Sequence, residues 1–183
     1  MTPLNYASRE GRYDTVKFLL DLNGRTINSR VDTTKKNRAG WSPLHTACIK
    51  GHIEVVKLLI KVGMNINDKT NSGSTPLHKA CQEGHFDTVK LLLDLNSQVS
   101  NGLVDTTIKD EKGWLAVHVA CDNGHIEVVK LFFEVGINLN VISNSGSTPL
   151  YLACKRGHFE TAKYLIELND QISNSRVDTR IQI

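Results

Sequence analysis

The stretch Gly73–Asn96 reads G-S-T-P-L-H-K-A-C-Q-E-G-H-F-D-T-V-K-L-L-L-D-L-N, and it contains one short helix, a turn and the start of a second helix. Thr75 is a good N-cap because its hydroxyl can accept a hydrogen bond from an unpaired N–H of the first turn. Pro76 suits the first helical position, where a missing N–H costs nothing. Gly84 can end the short helix in the left-handed conformation, and the apolar residues after it recur at helical spacing. The stretch therefore predicts a helix–turn–helix hairpin.

The same pattern opens five units along the chain. The openers are Thr2-Pro3-Leu4, Ser42-Pro43-Leu44, Thr75-Pro76-Leu77, Leu115-Ala116-Val117 and Thr148-Pro149-Leu150. Their second residues fall at positions 3, 43, 76, 116 and 149, so the spacing alternates between 40 and 33 residues. Segments 73 residues apart agree almost letter for letter, which indicates a duplicated pair of one short and one long repeat.

These motifs resemble the ankyrin repeat family, whose signature is T-P-L-H-x-A, then G-H and a V-V-x-x-L-L helix, at a period of about 33 residues. Ser42–Ala47 and Thr75–Ala80 match the signature closely, and the resemblance covers nearly the whole chain. It implies an all-α solenoid of stacked helix pairs with short β-hairpin fingers, the second of which should start at Val31-Asp32-Thr33. We expect one domain over 1–183, with repeats at about 1–30, 31–63, 64–103, 104–136 and 137–176 and a partial repeat at 177–183. Neither end resembles the polar capping unit that a stacked array needs, so we expect a fragment of a longer array.

The long repeats carry seven extra residues after their second helix. The inserts are Gly24–Arg30, Ser97–Leu103 and Asp170–Arg176. In the short repeats this helix should end at Gly63 or Gly136, and the long repeats have asparagine there, the next best left-handed residue. We expect the helix to end at the same place and the insert to form a loop, because it is rich in Gly, Ser, Asn and Gln. The alternative is a helix extended by two turns, which seven residues would nearly fill.

The fourth repeat departs from the pattern because Leu115 stands where the capping threonine is expected. A missing cap hydroxyl costs about 1 kcal/mol, so this helix start should be the weakest of the five.

Cysteines occur at one place in four repeats, at positions 48, 81, 121 and 154. Stacked helices lie about 10 Å apart, whereas a disulfide needs Cα atoms within about 7 Å. We therefore expect Cys48, Cys81, Cys121 and Cys154 to be unpaired, buried thiols in a reducing, intracellular compartment, either cytoplasm or nucleus.

Composition argues against several classes of function. The net charge of +3 among 41 Lys, Arg, Asp and Glu side chains gives no footprint for nucleic acid or a membrane surface. The sequence has no uninterrupted run of about 18 apolar residues, the length needed to span a bilayer. Its N-terminus also lacks the pattern of a signal peptide. We expect a monomer that binds another protein, with no nucleic acid and no membrane insertion.

One recurring constellation resembles a metal site or a catalytic pair. His45-x-x-Cys48-x-x-x-His52 recurs in the third and fourth repeats, and His and Cys three residues apart can ligate zinc. The ligands would have to converge from two helices and a turn, however, and the family resemblance implies that the first histidine is structural. A single activated pair would also not be copied into every repeat. We therefore expect no metal, no cofactor and no catalytic residue.

The resemblance implies that partners bind the concave face formed by the finger tips and the first helices. On this face the candidate partner-binding residues are Trp41, Ile49, Lys50, Ser74, Gln82, Glu83, Glu111, Lys112, Trp114, Asp122, Asn123, Lys155 and Arg156. Tryptophan is enriched at binding hot spots; the alternative is that each indole packs on the adjacent finger. The charges are mixed, so neither an acidic nor a basic ligand is implied.

The resulting functional hypothesis is a non-catalytic scaffold for protein–protein interaction. Two alternatives stay open: a structural spacer within a larger array, and a targeting or regulatory segment of a larger enzyme or channel. Fold alone does not separate them.

Overall fold

The computed structural model describes residues 2–22, 35–98 and 104–178, and this part of the chain forms ten helices in five helix–turn–helix hairpins. The first helices stack on one another in one row and the second helices in another. The first helices are α1 Pro3–Arg9, α3 Pro43–Lys50, α5 Pro76–Glu83, α7 Ala116–Asp122 and α9 Pro149–Arg156. The second helices are α2 Tyr13–Leu22, α4 Ile53–Lys61, α6 Phe86–Gln98, α8 Ile126–Glu134 and α10 Phe159–Asp178. The predicted all-α solenoid is confirmed. None of the described helices combines the length and the apolar content needed to cross a bilayer.

The first helices begin as the openers predict. Pro43, Pro76 and Pro149 each occupy the first turn of a short helix, after an extended capping residue. In the fifth repeat, the Thr148 hydroxyl accepts a hydrogen bond of 3.1 Å from the N–H of Tyr151. Leu115 makes no side-chain cap, so α7 starts without the bond that α1, α5 and α9 have; Ser42 of α3 likewise makes no side-chain cap.

The fingers are tight turns that join to one another through their backbones. In the second repeat the N–H of Gly40 donates to the Asn37 carbonyl at 2.9 Å and closes the turn. Backbone N–H groups of the third, fourth and fifth fingers donate to carbonyls of the preceding finger, each at 3.1 Å: Asn71 to Ala39, Glu111 to Ser72 and Asn144 to Lys112. The described residues contain no β-strand, so the expected hairpins are reduced to turns there. Val31–Thr33, the expected start of the second finger, lies outside the described residues.

A continuous apolar core fills the space between the two rows of helices. The apolar residue that ends each opener is buried in the first four repeats, where it is Leu4, Leu44, Leu77 and Val117. Full burial of such a side chain contributes about 1.5–3 kcal/mol. Because the first helices that carry these residues pack on those of the next repeat, the stability of each hairpin depends on its neighbours.

The expectation that the inserts form loops is wrong where the structure describes them. Helix α10 continues through Asp170–Arg176 to Asp178, and α6 runs two residues past Asn96 to Gln98. In the short repeats, by contrast, α4 and α8 end just before Gly63 and Gly136, whose φ values are +85° and +79°. Asparagine tolerates the left-handed region but, unlike glycine, has a Cβ that disfavours it, so the helix continues. The first insert, Gly24–Arg30, lies outside the described residues.

The cysteines are unpaired, and one of them differs from the prediction in its burial. Cys48, Cys81 and Cys121 are buried, as predicted, but Cys154 is exposed. The difference follows from position, because the helices of the three buried cysteines each pack on the first helix of the following repeat, and α9 has no such helix after it in the described chain. The exact extents of the repeats, and of the single domain, stay predictions.

Substitutions at two glycines of the second repeat can distinguish the cost of backbone strain from the cost of disturbing a contact between repeats. Gly51 and Gly63 both have positive φ, +68° and +85°. A Cβ on Gly51 would lie 2.6 Å from Nδ1 of His85, whereas a Cβ on Gly63 would meet nothing within 4 Å. We expect Gly63→Ala to lower the free energy of unfolding by about 1 kcal/mol through strain alone. Gly51→Ala should lower it by about 3 kcal/mol, because the His85 ring must also move.

The measurement is urea unfolding of both variants, with the slope m checked for constancy. Equal losses for Gly51→Ala and Gly63→Ala would show that the packing of His85 on Gly51 contributes nothing.

Candidate functional site

A concave pocket of about 370 Å³ lies between the first two repeats, and we call it the Trp41 site. Its walls come from α1, from the second finger and from α3. The lining residues are Arg9, Asn37, Ala39, Trp41, Thr46, Ile49 and Lys50.

A second pocket of about 380 Å³, the Trp114 site, lies between the third and fourth repeats. Its walls come from the third and fourth fingers, α5 and α7. The lining residues are Ser72, Ser74, His78, Lys79, Gln82, Asp110, Glu111, Lys112, Trp114, Val119, Asp122 and Asn123.

The two pockets occupy equivalent positions in the two copies of the duplicated repeat pair. All seven residues of the Trp41 site have a counterpart 73 positions later that lines the Trp114 site. The pairs are Arg9 and Gln82, Asn37 and Asp110, Ala39 and Lys112, Trp41 and Trp114, Thr46 and Val119, Ile49 and Asp122, and Lys50 and Asn123. Both pockets have a tryptophan on the finger and residues of the preceding first helix as the facing wall.

Ten of the thirteen predicted partner-binding residues line one of these two pockets. The Trp41 site contains Trp41, Ile49 and Lys50; the Trp114 site contains Ser74, Gln82, Glu111, Lys112, Trp114, Asp122 and Asn123. Glu83, Lys155 and Arg156 line neither pocket. That any of the thirteen binds a partner stays a prediction.

The three predicted residues outside the pockets have neighbours of their own. Arg156 makes a bidentate ion pair with Asp122, with Nε–Oδ1 at 2.8 Å and Nη2–Oδ2 at 3.1 Å, so it orients a residue of the Trp114 site from the next repeat. Glu83 accepts a hydrogen bond from the Gln82 side chain at 3.1 Å. The ammonium of Lys155 lies 5.8 Å from the centre of the Tyr151 ring.

Both tryptophans line a pocket and lie beside a lysine ammonium, and packing of the indoles on the adjacent finger stays a prediction. Each indole is half-buried. The ammonium of Lys79 lies 4.8 Å from the centre of the Trp41 ring, and that of Lys112 lies 4.6 Å from the Trp114 ring. Such cation–π contacts contribute about 0.5–1 kcal/mol at exposed sites. The pKa of Lys79 is lowered, because the side chain is half-buried on α5.

Side chains of the finger fix the position of each tryptophan. The Asn37 carboxamide oxygen accepts the backbone N–H of Trp41 at 3.0 Å, and a carboxylate oxygen of Asp110 accepts that of Trp114 at 2.9 Å. Neither residue is among the candidates predicted from the sequence, and Arg9 is not among them either. The 73-residue duplication could have identified Asn37 and Asp110 as a pair.

The first histidine of the signature joins its repeat to the next, and we call His45, His78 and His118 the forward histidines. The backbone N–H of Ser42 donates to Nδ1 of His45 at 3.2 Å, so Nδ1 carries no proton. Nε2 therefore carries the proton and donates to the Ser74 carbonyl at 3.1 Å. His78 repeats this arrangement, and its Nε2 donates to the Trp114 carbonyl at 3.0 Å. Both nitrogens are occupied, which leaves no lone pair for a metal ion.

His118 lacks half of this connection. Nδ1 accepts the Leu115 N–H at 3.1 Å, but Nε2 is buried and has no hydrogen-bond partner among the described residues. Burial lowers the pKa of His118 and outweighs the opposing effect of the Ser147 and Val141 carbonyls, which lie near Nε2 without meeting hydrogen-bond geometry. The forward histidine bond of the two preceding junctions is therefore missing between the fourth and fifth repeats, where Arg156 pairs with Asp122.

The second histidine of the signature, which the last four repeats carry, makes the reverse connection, and we call His52, His85, His125 and His158 the backward histidines. Their Nε2 atoms donate to carbonyls of the preceding repeat at 2.9, 3.1, 3.0 and 2.9 Å. The acceptors are the carbonyls of Arg9, Ile49, Gln82 and Asp122. All four acceptor residues line the Trp41 or the Trp114 site, so the backward histidines fix the backbone of both pockets.

The cysteines of the recurring constellation are unreactive. Burial raises the pKa of Cys48 and Cys81 far above the usual range and that of Cys121 to about 12. Nucleophilic attack and metal ligation both need the thiolate. The described part of the chain contains no cluster of three or more His, Cys, Asp or Glu arranged to hold a metal ion.

Comparison with known proteins agrees with this architecture. The family model described as ankyrin repeats (3 copies) matches residues 4–102 and 95–176. The chain is 37% identical over 67 residues to alpha-latrocrustotoxin-Lt1a of Latrodectus tredecimguttatus, covering 37% of this chain and 4% of that protein. It is 42% identical over 59 residues to ankyrin repeat-containing protein ITN1 of Arabidopsis thaliana, covering 32% of this chain and 9% of that protein. It is 32% identical over 62 residues to 26S proteasome non-ATPase regulatory subunit 10 of Dictyostelium discoideum, covering 34% of this chain and 24% of that protein. The matched segments are thus a small part of each relative.

The forward histidines predict that stability falls in mild acid. Burial lowers the pKa of His45 from 6.5 to about 4, and it lowers that of His78 as well. Between these pH values the unfolded chain binds a proton that the folded chain does not, so the free energy of unfolding decreases as pH falls from 6.5 to 4. For His45 alone the decrease is about 3 kcal/mol.

The measurement is urea unfolding at several pH values for wild type, His45→Gln and Ser42→Ala. His45→Gln should lower stability at about pH 7 and make the pH dependence shallower. Ser42→Ala removes the hydroxyl 2.8 Å from Nδ1 and should keep the full dependence, because the titrating ring remains. A His45→Gln profile as steep as that of wild type would contradict the assignment.

Proposed function

Because the chain belongs to the ankyrin repeat family, we propose that it is a non-catalytic scaffold that binds another protein through the Trp41 and Trp114 sites. Ankyrin repeats generally mediate protein–protein interaction. The specific proposal is that binding uses these two pockets, and that the chain acts as a monomer because it carries both of them itself.

The observation that supports the proposal is the pair of equivalent concave pockets, each with a half-buried tryptophan. Tryptophan side chains in central pockets contribute much of the free energy of binding at protein interfaces. The finger turns are bonded to each other and the backward histidines hold the facing wall. Both walls are therefore ordered before a partner arrives, which reduces the entropy lost on binding.

The same geometry argues against catalysis. Ankyrin repeat domains are generally non-catalytic. The forward histidines His45 and His78 have both ring nitrogens bonded, and the buried thiols stay protonated. A general base needs a free lone pair near its substrate, and neither group of residues supplies one.

We further propose an intracellular, reducing location, in the cytoplasm or nucleus, which is supported by the unpaired cysteines of the described chain. The matched segments span only 4 to 24% of the three relatives named above. The experiment must therefore distinguish a scaffold from two alternatives: a spacer, and the regulatory segment of a larger enzyme or channel.

The test is capture of proteins from a cell extract on three immobilised forms of the chain, quantified by mass spectrometry. Trp41→Ala with Trp114→Ala removes the proposed contacts. Lys57→Ala with Lys130→Ala is the matched control, because these two residues are also 73 positions apart and lie on α4 and α8, each with a glutamate partner. We consider proteins that both wild type and the control capture and whose binding is confirmed with purified material. Each should bind the tryptophan variant at least about tenfold more weakly than it binds wild type.

Two results would count against the proposal. Undiminished binding to the tryptophan variant would place the interface elsewhere on the chain. No specific capture by wild type would favour the spacer.

A further inference from the structure

The Trp41 and Trp114 sites share their position in the fold but not their charge. Going from the first site to its counterpart, Arg9 becomes Gln82, Ile49 becomes Asp122 and Lys50 becomes Asn123. On the fingers beside them, Asn37 becomes Asp110 and Arg38 becomes Glu111. Five of the equivalent positions therefore lose positive charge, gain negative charge or do both, and one, Ala39 to Lys112, gains positive charge.

Around Trp41 the cations face no acidic side chain within the pocket. Its seven described lining residues include Arg9 and Lys50 and no carboxylate, and the Lys79 ammonium lies over the indole. Glu10 approaches Arg9 from outside the pocket, with Oε1 3.8 Å from Nε, in a pair whose side chains are 39% and 47% exposed. Glu10 offsets part of the Arg9 charge, but Lys50 and the Lys79 ammonium supply further positive charge, so the site is positive overall.

Around Trp114 three carboxylates face two ammonium groups, so the lining residues carry a net charge of −1, against +2 for those of the Trp41 site. The lining includes Asp110, Glu111 and Asp122 against Lys79 and Lys112. Asp122 is paired with Arg156, and the Lys112 ammonium lies over the indole. Glu111 is exposed at the tip of the finger and leaves a negative edge.

The distance between the sites matches a short extended peptide. The tryptophans lie two repeats apart, which corresponds to about 20 Å at the usual spacing of packed helices. About six residues of extended chain span the same distance. One segment could therefore reach both pockets, and opposite charges at its two ends would complement the two sites.

We propose that the concave face binds one extended protein segment in a single orientation, with the segment's acidic end at the Trp41 site and its basic end at the Trp114 site. This inference rests on the proposed function, because it specifies the chemistry of the same two pockets. Charge complementarity across an interface selects the partner and its register more than it adds affinity. The arrangement would exclude segments that carry the same charge at both ends.

The chain offers a separate fluorescent reporter for each site, because Trp41 and Trp114 are its only tryptophans. Trp114→Phe leaves emission from the first site alone, and Trp41→Phe leaves emission from the second. Each variant is titrated at low ionic strength with blocked hexaglutamate and, separately, with blocked hexalysine. Hexaglutamate should bind about tenfold more tightly at Trp41 than at Trp114, and hexalysine should show the reverse preference. Both preferences should weaken as salt is added.

A swap between the two sites gives the matched variant. Arg9→Gln with Lys50→Asn gives the Trp41 site the residues of its own counterpart, so the folded structure tolerates them at that place in the repeat. In the Trp114→Phe background this swap should weaken hexaglutamate binding about tenfold, whereas Lys57→Ala with Lys130→Ala should leave it unchanged.

Equal affinities at the two sites, no emission change with either peptide, or an unaltered affinity in the swapped variant would each overturn the inference. Any of these results together with tryptophan-dependent capture of a protein would remove only the charge assignment. Loss of tryptophan-dependent capture would instead overturn the proposed function.

Discussion

The structure depends on the hydrogen bonds that histidine side chains make between neighbouring repeats. His45 reaches forward to the Ser74 carbonyl, and His52 reaches back to the Arg9 carbonyl, so one repeat is bonded on both sides. Burying an imidazole is favourable only when its polar atoms find partners, and these partners exist only in correctly stacked neighbours. The bonds therefore fix the register of the stack, while the apolar core supplies most of its free energy.

The concave face follows directly from that register. Because the backward histidines bond the carbonyls of Arg9, Ile49, Gln82 and Asp122, the residues that line the pockets are held by the same contacts that hold the stack. The side chains at these places are free to differ while the backbone stays fixed. This separation explains how two pockets of one shape can carry unlike charges.

Several local features were predictable from the sequence, and features that depend on a neighbouring repeat were not. The helix start at Pro76 depends on a few adjacent residues, so the prediction was confirmed. The exposure of Cys154 depends on whether another first helix covers α9. The continuation of α10 past Asn169 was missed for a local reason, because asparagine is a weaker helix stop than glycine. For the candidate site, Arg9 was missed because it comes from the preceding first helix. Asn37 and Asp110 lie on the tryptophans' own fingers and were missed because their role is to accept a backbone N–H.

The contact between Gly51 and the His85 ring has an evolutionary consequence. Since a Cβ at residue 51 would overlap the imidazole, the two positions cannot drift independently, although they lie in different repeats. A pair of hairpins that is copied together contains one such glycine–histidine contact between its two repeats. It also carries a backward histidine in its first repeat and a contacting glycine in its last, so one copied pair can stack on the next. Lengthening the array in blocks of 73 residues thus requires no new fitting between old and inserted units.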